Sequence, residues 1–594
     1  MNDNAVAQAL EGVPPAERET MERLLNTFFR EEGLVPIPVK REDHLYRQLE
    51  MTGEEAGTHP WFTVFLPHSG IWLAGHLVHR SITGFHAYGD VFFQRKCDKK
   101  SWNNIRDSLE LACLLMEEWR EPGQDRKFAQ RKKELLDRIQ NSRDKMDWLV
   151  GKSGGGEKNV LTSSRKAEQS LLFGHPFHPS PKSFEGFGEE DQVRFAPELG
   201  TDFPLHFWWV DRDWVEEVWV QEEDRITDME LFSDPVIENE TALRDTHILF
   251  PFHPWQARKL MADREVRNAM EMGHIIDAGI QGESWYSTSS VRTVAREGSS
   301  YALKLPLSVR ITHFVRENSA EQVTRSIHAG QVIHDLSLPE KEKSLRIWLE
   351  KGARMITGGP SVLLNGATFL IRDTGPVGDG CPLVVASLLE RKPGEEIPPL
   401  VSAIRMFHAE QGKISWKEAV TDWVEEYLDR FLLPVCRVWA DCGVSLEAHV
   451  QNTLVHLEQG CPVTFYIRDM EGTSVDRKRC PKGLPEDSPV LYDPETAWMR
   501  WQYYVMVNHM THLAGVLGRW GDVKEEMVWK GIRTRLETWH SRYPTLIPWV
   551  EKLLSSPYWP AKANFASQFY QRGEKPLYVN LPNPLGQVDR VDRS

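Results

Sequence analysis

The chain has 594 residues, of which 41% are hydrophobic and 26% charged, with a formal net charge of −15. That composition excludes a fibrous repeat and wholesale disorder, and the length calls for two to four structural units at about 100–200 residues each. The negative balance argues against non-specific binding to nucleic acid or to an anionic membrane surface, so any anion site must be a local basic pocket.

No apolar run approaches the roughly 20 residues that span a bilayer, and Met-Asn-Asp-Asn at the start has neither a basic nor an apolar signal region; no membrane and a cytoplasmic location are expected. Cys97, Cys113, Cys381, Cys436, Cys442, Cys461 and Cys480 form an odd set without a Cys-x-x-Cys pair. They read as reduced thiols, not as a disulfide frame, a zinc site or an iron–sulfur site.

Residues 17–33 and 102–150 carry helical periodicity, so the N-terminal part is expected to be mostly helical, with a β-rich insert around Trp61–Val78. Gly151–Gly156 reads as a flexible junction. Its Gly-Lys-Ser is not a phosphate loop, because Met146 stands where that motif requires its first glycine.

Gly174-His-Pro-Phe-His-Pro-Ser-Pro-Lys182 offers two histidines and a lysine in a turn-rich segment. Pro176 and Pro179 prevent the helical geometry that would pair the histidines on zinc, so the reading is a turn whose imidazole and ammonium face an anion. From about Gln169 to Arg310 short apolar runs alternate with turns, which indicates a β-rich central unit. Within it His253-Pro-Trp-Gln256 reads as a structural turn, with a histidine able to line a cleft.

Between Tyr286 and Gly330 hydroxyl and cationic side chains recur. Tyr301, Leu303, Leu305, Leu307, Val309 and Ile311 alternate with polar residues, a period of two that predicts a strand with one buried face and places Lys304 and Thr312 on the same side. Pro306 lacks a ladder donor and predicts an edge or a break. Ser319-Ala-Glu-Gln322 has the form of a capping box opening a helix that Gly330 could close, and it puts Arg316 beside a helix N-terminus, a setting suited to carboxylate or phosphate.

Glu447-Ala-His-Val-Gln-Asn452 is followed by two apolar runs separated by Gly460, then Arg468-Asp469. If the first part is extended, Glu447, His449 and Gln451 share a face. The two runs read as a hairpin whose base brings Asn452 and Asp469 together, as protein kinases place an Asn and an Asp on Mg²⁺. The C-terminal stretch is more helical, with an apolar helix around Trp501–Leu517.

Taken in order, the His-Pro-x-His-Pro block with its Lys, His253–Gln256, Thr288–Thr293 with Lys304, Thr312 and Arg316, Glu447–Asn452, and Arg468-Asp469 with Gly472 resemble the aerobactin-type, NRPS-independent siderophore synthetases. The resemblance implies an α+β multidomain fold with thumb, fingers and palm and a kinase-like palm: 1–165 a mostly helical thumb, 166–345 β-rich fingers with the ATP-binding segment, 346–594 a palm with the catalytic loop and a helical C-terminal region. It implies a homodimeric ligase that uses ATP and Mg²⁺ to adenylate a carboxylate of citrate, release pyrophosphate and form an amide with an amine, polyamine or hydroxylamine.

By the same resemblance His178, Lys182, Ser290, Arg292, Thr293, Lys304 and Asp469 would contact the nucleotide, and Glu447, Asn452 and Asp469 would hold Mg²⁺. Thr312, Arg316, His449 and Gln451 would hold the polycarboxylate, and Lys562 would reach the site from the C-terminal region. Catalytic roles fall to His449, as a base or an orienting group, and to Arg292, Lys304 and Arg316. One departure is that Lys182 is followed by Ser183-Phe-Glu185, where the family often has an Arg. The N-terminal segment Glu19–Gly33 looks like the citrate-using group; 2-oxoglutarate or a citryl monoamide are the alternative acids. Alternatives of another class are a kinase-like phosphotransferase and a ferric-siderophore reductase or binding protein, the latter disfavoured because no cysteine follows Cys480.

Overall fold

The computed structural model describes residues 13–591 except 51, 53–58, 154–158, 233–242, 313, 338–342, 376–379, 413, 481–482 and 574. Gly154–Gly156 of the expected junction therefore lie outside the described residues.

The helix Pro15–Glu32 buries Leu24, Leu25, Phe28 and Phe29 and ends where Gly33 takes a left-handed conformation, φ 65°, a geometry glycine adopts without a Cβ penalty. It packs on the helices Ser108–Met116 and Asp125–Lys152. The helical periodicity over 102–150 resolves into these two helices, separated by a 3₁₀ turn at Glu117–Trp119 and by Pro122-Gly123, with Gly123 at φ 79°. The β insert is wider than Trp61–Val78: five antiparallel strands run in order from Ile37–Pro38 to Asn103–Ile105.

The central unit is an eight-stranded antiparallel sheet. Its strand order is Val215–Trp219, Glu350–Ile356, Phe369–Asp373, Tyr301–Lys304, Thr293–Ala295, Ile275–Ser287, Asp202–Asp211 and His247–Phe252. Trp208, Trp209, Phe250, Phe252, Leu303 and Phe369 fill its core, and full burial of a side chain such as Phe250 is worth about 1.5–3 kcal/mol.

The alternating run breaks at Leu305-Pro306. Tyr301–Lys304 stays in the large sheet, whereas Leu307–Ile311 joins Phe314–Arg316 and Phe184–Glu185 in a separate three-stranded sheet. A prolyl nitrogen cannot continue the ladder, so Lys304 and Thr312 share no continuous strand face, and Thr312 itself leaves the strand with φ 61°. The capping box at Ser319 and Gln322 forms as expected. The helix it opens does not stop at Gly330 but runs from Ala320 to Asp335. A Cβ at Gly330 would lie 2.6 Å from Val220 Cγ2, so this glycine serves close helix–sheet packing.

In the C-terminal half, Thr453–Glu458 and Cys461–Arg468 form the expected hairpin, flanked by Leu345–Trp348 and Leu383–Val384. The helical stretch from Pro494 to Trp520 contains a π-helical segment at Gln502–Met510. Such segments re-aim side chains and often sit at functional sites. Among the described residues no helix is long and apolar enough to cross a membrane. The architecture is mixed α and β, in several units.

Candidate active site

A cavity of about 930 Å³ is lined by residues of the first helix, the His-Pro segment, the Ser289–Thr293 turn, the Leu307–Arg316 strands and the Glu447–Asn452 and Asp469–Gly472 loops. Each block singled out by the sequence except His253 and Lys562 reaches it.

At its centre lies a buried ion network. Lys304, only 2% exposed, donates to Asp469 Oδ1 at 2.6 Å and to Glu471 Oε2 at 2.9 Å. Burial alone would push the ammonium down, but Asp469 and Glu471 outweigh it and hold Lys304 above its ordinary value. Burial likewise opposes charge on Asp469, yet Lys304, Arg372 and Arg292 hold its carboxyl well below the usual carboxylate range. Glu471 is also held low, with Lys304 and Arg292 outweighing burial.

Asp469 sits at φ 72°, a left-handed conformation uncommon for a residue with a side chain. It is braced from below: Glu350, fully buried, accepts from Met470 N at 2.8 Å and pairs with Arg372 at 2.5 Å. Strained backbone of this kind persists where the surroundings over-determine it. Glu350, Arg372 and Glu471 were not singled out in the sequence. Glu350 and Arg372 lie on paired strands of the large sheet, and their meeting beneath Asp469 leaves no motif.

The loop from Glu447 to Asn452 is not extended. His449 N bonds to Glu447 O and Asn452 N to His449 O, so the segment is a tight turn and the condition of an extended run is not met. The turn still directs Glu447, His449, Gln451 and Asn452 to the cavity. The π segment secures it: His509 Nδ1 donates to Ala448 O at 3.0 Å while its Nε2 takes the Tyr427 hydroxyl at 2.6 Å. The hairpin register pairs Thr453 with Ile467, which sets Asn452 and Asp469 beside one another at its base. Burial pushes His449 down, only partly offset by Glu447. Its Nδ1 accepts from Gln451 N at 3.2 Å and Asn452 N at 3.3 Å, so the neutral ring carries its proton on Nε2.

The Ser289–Thr293 turn is clamped to the loop that carries Gln451 and to Arg468. Glu168 accepts from Ser289 N at 3.0 Å and forms a buried pair with Arg468, whose Nη2 also reaches Gln451 O at 3.0 Å. Ser290 Oγ accepts from Thr293 N, and Arg292 donates to Asn318 Oδ1 at 2.6 Å and Glu317 O at 3.0 Å. Thr312 stands on the cavity wall.

Arg316 differs from its neighbours. Among the described residues no carboxylate pairs with it, and its Nε is buried without a hydrogen-bond partner. Burial and Arg292 push the guanidinium down to about 10, so it stays protonated at neutral pH.

In the His-Pro segment, Glu390 accepts from Leu172, Phe173 and Gly174 N and fixes the turn. Lys182 lines the cavity with its ammonium tied to Glu198 at 2.7 Å and Leu171 O at 2.5 Å. His178 lines it too, with Nε2 3.0 Å from Gln568 Nε2. Lys145, which the sequence did not single out, stands beside this pair, pushed down to about 8 by burial and Lys182 against the pull of Glu198. His253 caps the helix Pro254–Met261 and is buried among Phe187, Phe195 and Phe203; it does not line the cleft. Lys562 lies over the rings of Tyr503 and Tyr504, at 4.8 and 5.5 Å, beside a small neighbouring cavity and not in the main one.

The IucA / IucC family model matches residues 163–390, and the model for the ferric iron reductase FhuF-like transporter matches 421–577. The second span holds Cys436, Cys442, Cys461 and Cys480 as free thiols, and among the described residues no group of three or more His, Cys, Asp or Glu could hold a metal. The chain is 31% identical over 97% of its length, and 97% of the relative's, to the L-2,3-diaminopropanoate–citrate ligase of Staphylococcus aureus, and 27% identical over 96% of its length, and 98% of the relative's, to the spermidine–citrate ligase of Bacillus anthracis. Its fold matches ATP-bound aerobactin synthetase IucA of Klebsiella pneumoniae with a TM-score of 0.81 at 22% identity, covering 96% of this chain and 99% of the other. With this cavity and this whole-length likeness, the chain belongs to the IucA / IucC family of NRPS-independent siderophore synthetases.

Proposed function

We propose that the chain is an ATP-dependent, AMP-forming ligase that activates a carboxylate of citrate and condenses it with an amine in siderophore biosynthesis. The observation that carries this reading is Arg316: a cation with no carboxylate partner among the described residues, in a cavity whose other cations are largely committed, needs an anion from outside. The citrate ligases among its relatives supply the identity of that anion.

In the first step a citrate carboxylate oxygen attacks the α-phosphorus of ATP, and the bond to pyrophosphate breaks. Two anions must approach, so fixed cations are required. Arg292 and Lys304 stand at the nucleotide end with Ser290, Thr293 and, further along the wall, His178 and Lys182. Arg316, Thr312 and Gln451 hold the acid. In the second step a neutral amine nitrogen attacks the acyl carbon and AMP leaves. No protein nucleophile is needed.

His449 orients the acid in this scheme. A ring whose Nδ1 already accepts backbone N–H bonds presents an N–H at Nε2, which donates to a carboxylate and cannot take a proton there.

Glu447, Asn452 and Asp469 fit Mg²⁺: they offer oxygen donors only, and Glu447 Oε2 lies 3.5 Å from the Asn452 amide nitrogen. Two carboxylates and an amide make an incomplete shell, the kind that phosphate oxygens and water complete. When bound, the ion would offset phosphate charge. Asn452 and Asp469 at the hairpin base support a kinase-like palm within a thumb, fingers and palm arrangement. Lys562 borders the neighbouring cavity and would approach the substrate from there. We further propose a cytoplasmic enzyme, where ATP is supplied and seven free thiols stay reduced, and a homodimer, which light scattering would test.

The test is ATP–pyrophosphate exchange with citrate, 2-oxoglutarate and citryl monoamides offered separately. Citrate-dependent exchange is expected. ADP formation without exchange for any acid would instead indicate a phosphotransferase and overturn the reading.

A further inference from the structure

The glutamine that closes the capping box at Ser319 has a second partner. Gln322 Oε1 accepts from Ser319 N at 2.9 Å, and Ser319 Oγ accepts from Gln322 N at 3.3 Å. The other end of the same amide, Nε2, donates to Glu471 Oε1 at 2.9 Å. One turn along the helix, Arg325 Nε donates to Glu471 O at 3.0 Å. Two residues three apart on one helix face thus hold both the side chain and the main chain of Glu471. Its remaining carboxylate oxygen, Oε2, takes Lys304 at 2.9 Å and lies 3.8 Å from Arg292 Nη2.

A capping box accepts Glu or Gln at this position, since either supplies the oxygen that the N-cap N–H needs. Only an amide can supply that oxygen and donate a hydrogen bond from its far side; a carboxylate there would face the carboxylate of Glu471. Helix capping therefore leaves the choice open, and the contact with Glu471 settles it on glutamine.

We propose that Gln322 is a positioning residue for the nucleotide, which by fixing Glu471 keeps Lys304 and Arg292 aimed into the cavity. The inference rests on the ligase reading above, which puts those two cations at ATP. A lysine ammonium is a rotatable point charge on a flexible stem, with three donors. Among the described residues two of these go to Asp469 and Glu471, which leaves the third for an oxygen in the cavity that Lys304 lines. The direction of that third donor is only as fixed as the two acceptors. Glu471 sits on a short 3₁₀ turn, Met470–Gly472, with its carboxylate bordering the cavity. Apart from the cations it serves, the Gln322 amide is the one group among the described residues that bonds to that carboxylate. Gln322 acts through Glu471 and need not touch ATP.

The experiment compares Gln322→Glu, Gln322→Met, Glu471→Gln and the Gln322→Glu, Glu471→Gln double variant. Each is followed by thermal unfolding, by ATP titration calorimetry, which needs no acid, and by citrate-dependent ATP–pyrophosphate exchange. Gln322→Glu keeps the capping box, so its Tm is expected to match wild type. Its ATP association constant and its kcat/KM for ATP are expected to fall at least about tenfold, one hydrogen bond to a charged group being worth about that factor, while the citrate KM stays within about threefold. Gln322→Met adds no charge and is expected to lose ATP use by a similar factor. In the double variant donor and acceptor change places at unaltered net charge, so ATP use is expected to recover above Gln322→Glu alone. Wild-type exchange with a Gln322→Glu variant as active as wild type would confine Gln322 to capping, overturning this proposal and leaving the ligase reading standing. Loss in Gln322→Glu but not in Gln322→Met would assign the effect to added charge and overturn it as well. So would a double variant that falls below both single ones, since the two side chains would then act separately.

Discussion

Glu447 occupies the space that a side chain at position 472 would need: a Cβ on Gly472 would lie 1.7 Å from Glu447 Oε2 and 2.3 Å from its Cδ. Gly472 therefore shapes the site through its missing side chain. Gly472→Ala must displace the Glu447 carboxylate. Overpacking of this kind costs about 1–3 kcal/mol of stability. Citrate-dependent exchange is expected to fall by at least about tenfold, one lost interaction of about 1.4 kcal/mol, and half-maximal activity should need more Mg²⁺. A variant with unchanged activity and Mg²⁺ dependence would remove Glu447 from the metal assignment.

The Lys304–Asp469–Glu471 network fixes a pH profile. Both carboxyls titrate lower in the folded protein than unfolded, so their contribution is complete above the ordinary carboxylate range and is lost as pH falls below about 4. Lys304 titrates higher when folded, so its contribution is lost as pH rises above the ordinary lysine value near ~10.4. Asp469→Asn removes one partner of a buried pair. It is expected to cost up to about 3–5 kcal/mol at neutral pH and to flatten the acid limb. Thermal unfolding across pH measures both, and parallel limbs for variant and wild type would show that Asp469 does not carry the dependence.

The motif blocks were legible because each keeps its chemistry within a few residues: the capping box at Ser319, the proline break at Pro306 and the hairpin base at Asn452 and Asp469 follow from local rules. The supports of the site were not. Glu168 meets Arg468 across 300 positions of chain, and Glu350 reaches Met470 across 120; such pairs are set by tertiary packing and leave no spacing to read. The Glu447–Asn452 segment looked extended because alternation alone cannot see its tight turn, which His509 holds from the π segment.

Arg316→Ala separates acid from nucleotide. Among the described residues its guanidinium has no paired carboxylate to leave stranded, so truncation should cost little stability for a buried charge. The KM for citrate is expected to rise about 10²-fold, the loss of a charge-assisted contact worth about 1.5–3 kcal/mol, while the KM for ATP stays within about threefold. Equal changes in both constants would place Arg316 at the nucleotide instead.

The two roles open to His449 give opposite results with a neutral replacement. As an N–H donor it can be replaced in part by the amide of a glutamine; as a base it cannot. His449→Ala is expected to raise the citrate KM by about tenfold, near 1.4 kcal/mol, and His449→Gln to recover part of that loss. The pH dependence decides independently. Burial holds the ring below its ordinary value of ~6.5, so it is neutral at pH 7, and an orienting donor changes the citrate KM only where the ring gains its proton, on the acid side. Amide formation limited by chemistry should then show no wild-type inflection from His449 between about pH 6.5 and 8, beyond that of the amine itself, which His449→Gln would share. An acid-limb inflection in that range that disappears in His449→Gln, with no recovery of activity in the glutamine variant, would assign proton transfer to His449.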